Sequence, residues 1–125
     1  MTILLVADHE ETRQARRVCL ELSGHSVIEA SDVRSALVAA TAHFDLSLCD
    51  IELPDGDGWT LLKTLRKSRL VEAIAISGYC SQADVAQSRA AGFCAHLSKP
   101  FTLEEFEAAV IGLQQEQHTT HGMRK

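Results

Sequence analysis

The sequence predicts a doubly wound α/β domain, a five-stranded parallel sheet with five helices covering both faces. Two observations predict it. Short aliphatic runs alternate five times with longer stretches of helical spacing. The runs are nearly continuous in hydrophobicity, as strands buried on both faces are. Strand–helix alternation of this kind forces parallel strands joined by right-handed crossovers.

The elements follow in order along the chain. Ile3–Val6 is the first strand. Ala15, Val18, Cys19 and Leu22 then recur at i, i+3, i+4 and i+7, and Gly24 supplies a C-terminal stop. Ser26–Ile28 is the second strand, and Val33, Ala36, Leu37 and Ala40 mark a second helix with Ser31 as its N-cap. Phe44–Cys49 is the third strand. A turn-rich loop, Pro54-Asp55-Gly56-Asp57-Gly58, follows it, in which Asp55 and Asp57 read as solvated structural acids. Gly58 lets the backbone turn into a third helix carrying Trp59, Leu62 and Leu65.

Ala73–Ile76 is the fourth strand, and Ala83, Ala86 and Ala90 give a weaker fourth helix ending near Gly92. Cys94–Leu97 is the fifth strand. Leu103, Phe106, Val110 and Leu113 define the fifth helix, opened by a capping box of Thr102 with Glu105. Residues 1–116 read as one domain and 117–125 as a polar, flexible tail.

Composition narrows the function. A chain of 125 residues with 46% hydrophobic and 23% charged residues is an ordinary globular domain. Its net charge of −5 and lack of a basic stripe argue against direct nucleic-acid binding. No apolar run approaches the roughly eighteen residues needed to span a bilayer, and the acidic start is no signal peptide, so a cytoplasmic location is expected. Cys19, Cys49, Cys80 and Cys94 form no C-x-x-C pair and read as buried, reduced thiols.

In an open parallel sheet, ligands bind beyond the carboxyl ends of the strands. Those ends carry Ala7-Asp8-His9, Asp50, Ser77-Gly78 and Ser98-Lys99-Pro100. Two carboxylates, a hydroxyl and an ammonium converging there suit a hard divalent cation and a phosphoryl group. A carboxylate can attack phosphorus to give an acyl phosphate, while the lysine offsets charge on the transferred group. Each residue also has a plainer role available: Asp50 as a loop acid, Asp8 as a helix cap, Lys99 as a turn residue before proline. His9 reads as an exposed neighbour, and His25, His43, His118 and His121 have no partners at metal spacing.

At these residues the sequence resembles the receiver domain of bacterial two-component response regulators and hybrid histidine kinases. The resemblance runs from ILLVADHEETR through CDIELPDGDGWTLL to AISGYCSQADVAQSRAAGFCAHLSKPF. It implies a flavodoxin-like sheet of strand order 2-1-3-4-5 and Asp50 as the phosphoacceptor. It also implies Asp8, Asp50 and the backbone carbonyl of Glu52 as Mg2+ ligands, with Ser77 and Lys99 contacting the phosphoryl group. Ser77 and His96 fall at its switch positions, and the Lys99–Pro100 bond is expected to be cis.

Two departures from that pattern stand out. Receivers usually carry two adjacent acids after the first strand, and here the first is Ala7. A carboxylate one water away from a divalent ion contributes about 1–3 kcal/mol, so its loss should weaken Mg2+ binding roughly tenfold to a hundredfold. The second departure is His96, where the family commonly has Tyr or Phe.

The function expected is a phosphoacceptor switch that takes a phosphoryl group from a histidine kinase or histidine phosphotransfer domain in a Mg2+-dependent transfer. It would catalyse its own phosphorylation and dephosphorylation, with no independent turnover. A downstream effector would read the face of helix four, strand five and helix five. One rival is a degenerate receiver serving as an unphosphorylated interaction module, which Ala7 and His96 favour. Another is a small phosphatase with Asp50 as nucleophile and Glu52 as general acid, which lacks the cap such enzymes use to enclose substrate.

Overall fold

The computed structural model describes residues 1–78 and 81–112. Five parallel strands form one sheet: β1 (Thr2–Val6), β2 (Ser26–Ala30), β3 (Leu46–Asp50), β4 (Ala73–Ser77) and β5 (Ala95–Ser98). Their order across the sheet is β2-β1-β3-β4-β5, as expected, with every neighbouring pair parallel. The helices are α1 (Glu10–Leu22), α2 (Val33–Ala39), α3 (Gly58–Arg66), α4 (Gln82–Ala91) and α5 (103–112). A two-residue hairpin, Glu52–Leu53 against Gly56–Asp57, closes the loop after β3.

The period of two along each central strand splits the core between the two faces. Leu4, Val6, Cys49, Ala73 and Ala75 pack on one side with Leu61, Leu62, Leu65, Ala91 and Phe93 from α3 and the α4 end. Ile3, Leu5, Leu46, Leu48, Ile74 and Ile76 pack on the other with Leu20, Phe106 and Val110 from α1 and α5. β3 and β4 are buried throughout and β1 from Ile3 onward, but β2 and β5 at the edges are half-exposed along most of their length. Edge strands have a sheet neighbour on one side only, so continuous hydrophobicity did not imply full burial there.

Local chemistry sets the helix ends. Behind α1, the N–H of His25 reaches the Leu20 carbonyl and that of Gly24 reaches Glu21, with Gly24 left-handed at φ +93°. This double closure is why a glycine follows the helix. Asp32, not Ser31, caps α2, accepting from the Ser35 N–H at 2.7 Å. Its carboxyl is held below its ordinary value by the hydrogen bonds from the Ser35 side chain and backbone. Ser81 caps α4 reciprocally with Asp84, and Gly92 ends it at φ +112°. The Thr102–Glu105 capping box opens α5 as expected.

Two helix faces differ from expectation. On α1, Ala15, Val18, Cys19 and Leu22 lie exposed, and the sheet-facing stripe is Arg13, Arg16, Arg17 and Leu20. On α4, Ala83, Ala86 and Ala90 are exposed, while Ser88 and Ala91 are buried. Cys19 is exposed rather than buried, whereas Cys49 is buried and Cys94 partly so. Burial pushes the Cys94 thiol up to about 11, aided by the Glu72 carboxylate that accepts its hydrogen bond. Cys80, Leu113 and the polar tail lie outside the described residues. No helix among the described residues is long and apolar enough to cross a membrane.

Candidate functional site

Strand register delivers the site. Val6 pairs with Cys49 and Asp50 with Ile76, so the chain carries Ala7 and Asp8 past one side of Asp50 and Ser77 past the other. Ser77 pairs with Ser98, which brings Lys99 to the same edge, where its N–H donates to the Ser77 carbonyl at 2.9 Å. The Lys99–Pro100 bond is cis, as the family pattern implied.

Asp50 is only 3% exposed although it ends a strand. Its backbone is held from below by Gly58, where an added Cβ would come within 2.7 Å of the Asp50 carbonyl oxygen. The glycine is therefore required by close approach and not, as the sequence suggested, by the turn into α3. Asp57 caps α3 by accepting from the Thr60 N–H, and Asp55 accepts from the N–H groups of Val33 and Arg34. Both are the structural acids they were expected to be, and they tie the loop beside Asp50 to two helix starts.

Two cations address the same Asp50 oxygen. Lys99 Nζ lies 3.5 Å from Oδ1, and Arg16 Nη1 donates to it at 3.0 Å. The Arg16 side chain is 13% exposed, so this is a largely buried ion pair. Its guanidinium also lies over the Phe101 ring, 5.1 Å from the centroid. Arg16 was missed in the sequence. The signal that could have found it is the recurrence of Arg13, Arg16, Arg17 and Leu20 at i, i+3, i+4 and i+7, a stripe with the same spacing as the apolar one.

The other expected residues fall into place unequally. Ser77 is buried, and its hydroxyl donates to Glu52 Oε1 at 2.9 Å, giving the Glu52 side chain a role that its backbone carbonyl alone did not suggest. Asp8 is exposed beyond the β1 end, with His9 beside it, also exposed. His96 is half-buried and turned to α4, where its Nδ1 lies 2.9 Å from Ser88 Oγ. Ser88 in turn accepts from the Trp59 indole N–H at 2.8 Å, so strand five, α4 and α3 share one polar chain. His96 Nε2 is buried with no hydrogen-bond partner among the described residues.

The donor set suits a hard divalent cation in reduced form. Asp8, Asp50 and the Glu52 carbonyl offer oxygen only, which Mg2+ favours while keeping several waters. With Ala7 buried at 1% exposure in place of an acid, that set is one carboxylate short, and the described residues contain no group of three or more His, Cys, Asp or Glu placed for a metal.

The family model for the response regulator receiver domain matches residues 3–111. The chain belongs to that family. The receiver is 36% identical over 120 residues to the KDP operon transcriptional regulatory protein KdpE of Escherichia coli, covering 94% of this chain and 53% of that protein. It is 30% identical to the virulence transcriptional regulatory protein PhoP of Salmonella typhimurium, over 90% of this chain and 51% of the relative. The chain thus spans about half the length of the curated relatives it matches. A CheY-like receiver from Methanospirillum hungatei superposes with a TM-score of 0.86 at 29% identity, covering 95% of this receiver and 97% of that chain. A chain of a CheX–CheY–BeF3–Mg complex from Borrelia burgdorferi shares the fold at a TM-score of 0.84 and 22% identity, covering 90% of this chain and 88% of that one.

Proposed function

We propose that this receiver accepts a phosphoryl group on Asp50 from a phosphorylated histidine of a partner kinase or phosphotransfer domain. The observation that carries this is the Asp50 carboxylate itself, buried at the carboxyl edge of the sheet with two cations on one oxygen. A carboxylate oxygen forms a bond to phosphorus as the phosphorus–nitrogen bond breaks. The electron pair stays with the imidazole, which then takes up a proton. Lys99 holds positive charge against the equatorial oxygens as negative charge spreads over them.

Asp8, Asp50 and the Glu52 carbonyl would hold Mg2+, which when bound supplies further charge neutralisation to the transferring group. The Ser77 hydroxyl, now donating to Glu52, lies one residue past the partner of Asp50 and is suited to turn to a phosphoryl oxygen instead. That exchange would bias the α4–β5–α5 face, where the chain of His96, Ser88 and Trp59 joins three elements, and a downstream effector would read the change. The domain catalyses its own phosphorylation and dephosphorylation and turns over no separate substrate.

Ala7 favours one second reading, an unphosphorylated interaction module that has given up its metal. Incubation with acetyl phosphate and Mg2+ followed by intact mass measurement separates the two. The phosphoacceptor gains a single phosphate that Asp50→Asn abolishes, and the module gains none.

A further inference from the structure

Of the three arginines that α1 turns toward the sheet, two are bound to an acid on the neighbouring strand. Arg13 donates to Glu29 Oε1 at 3.1 Å and to the Ala7 carbonyl at 2.9 Å, and Arg17 donates to Glu29 Oε2 at 3.0 Å. Arg16 alone is aimed at Asp50. An arginine stem and head in a largely buried position carry a desolvation cost that only a good partner offsets. Here the partner is the phosphoacceptor, and the neighbouring position that would hold an acid is Ala7.

We propose that Arg16 is a resident counter-cation of the phosphoacceptor, opposing a divalent ion at Asp50 and, once Asp50 is phosphorylated, binding the phosphoryl oxygens together with Lys99. The inference rests on the phosphoacceptor role of Asp50 and adds to it a residue whose charge lets the transfer proceed without the metal. Two physical points carry it. A divalent ion approaching Asp50 meets two positive charges already at Oδ1, which adds repulsion to the missing carboxylate. A guanidinium is always charged and has five N–H donors in a planar fork, so one bond to Asp50 leaves others for phosphoryl oxygens.

The charge count agrees. Asp50, Arg16 and Lys99 sum to one surplus positive charge before transfer. Phosphorylation replaces the carboxylate charge with a phosphoryl group of about −2, which the same two cations balance. With acetyl phosphate the step is the attack of an Asp50 oxygen on phosphorus, breaking the bond to the acyl oxygen, whose electron pair leaves as acetate. Phe101 under the guanidinium fixes Arg16 for this use and keeps it from swinging to solvent.

The test uses the whole chain and three variants, Arg16→Gln, Arg16→Met and Arg16→Lys, each checked for a native circular dichroism spectrum and melting transition. Mg2+ binding is read first, from the backbone NMR signals of Asp8 and Asp50. The neutral variants should bind Mg2+ about tenfold more tightly than the parent, and Arg16→Lys should resemble the parent. Equal affinity in all four proteins overturns the proposal.

Labelling by acetyl phosphate in excess EDTA is read second, by intact mass. The parent should still be labelled, and Arg16→Met should be labelled only when Mg2+ is restored. A parent chain that is labelled only with Mg2+ overturns the proposal while leaving the phosphoacceptor standing. A parent labelled under neither condition removes the phosphoacceptor, and the Mg2+ titration then decides by itself whether Arg16 opposes the metal.

Discussion

The two sides of Asp50 are built differently. On the β4–β5 side, Ser77 ends one strand and Lys99 follows the other in register, and the lysine leans on the carboxylate from a third-exposed position. On the β1–α1 side, a buried alanine follows the strand, the acid after it is exposed, and a guanidinium from the helix fills the contact. One side keeps the means of holding a phosphoryl group. The other has exchanged negative charge for positive. The difference teaches that acceptor chemistry and metal affinity are separable properties of this architecture, because they are lodged on opposite flanks of one carboxylate.

The largest effect should come from the β4–β5 flank. Lys99→Ala removes a preorganised cation from the site of developing charge, and losses of about a hundredfold to a thousandfold in rate are usual for one such group. The rate of acetyl phosphate labelling measures it. A variant labelled as fast as the parent would place the burden of charge on Arg16 alone and break the division between flanks.

A smaller effect is expected on the other flank. Ala7→Glu restores a carboxylate beside Asp50 and gives Arg16 a second partner, so Mg2+ should bind about tenfold more tightly by Coulomb arithmetic at intermediate dielectric. Calorimetric titration reads the change. An unchanged affinity would show that the missing acid has no bearing on the metal.

The third effect is on stability and concerns the floor shared by both flanks. Gly58→Ala sets a Cβ 2.7 Å from the Asp50 carbonyl oxygen, a clash that neither backbone relieves freely. Overpacking of this kind costs about 1–3 kcal/mol, and chemical denaturation should show it. A neutral result would mean that the loop under Asp50 yields, and that the carboxylate is aimed by its cations and not by its backbone.

How much of this was legible in the sequence varied with the physical signal. The five strands were, because short aliphatic runs of strand length alternate with helical spacing, and the sheet order followed from the family resemblance. The β4–β5 flank was also legible, since Ser77 ends its strand and Lys99 directly follows the next. The β1–α1 flank was not. Its decisive residue lies two turns into a helix whose apolar positions, Ala15, Val18, Cys19 and Leu22, suggested the opposite orientation. Arginines buried by their stems and bound by Glu29, Ala7 and Asp50 are invisible to a count of hydrophobic spacing. Helix α4 misled in the same way, because its buried anchor is Ser88, a polar residue satisfied by Trp59 and His96.

The central claim is that Asp50 carries the phosphoryl group, and chemical trapping tests it most directly. An aspartyl phosphate is reduced by borohydride to homoserine, which leaves a permanent mark at the acceptor. The chain is incubated with acetyl phosphate, reduced, digested and sequenced by tandem mass spectrometry. The account predicts homoserine at position 50 and at no other aspartate. Homoserine at position 8, 55 or 57 with Asp50 unmodified would contradict it.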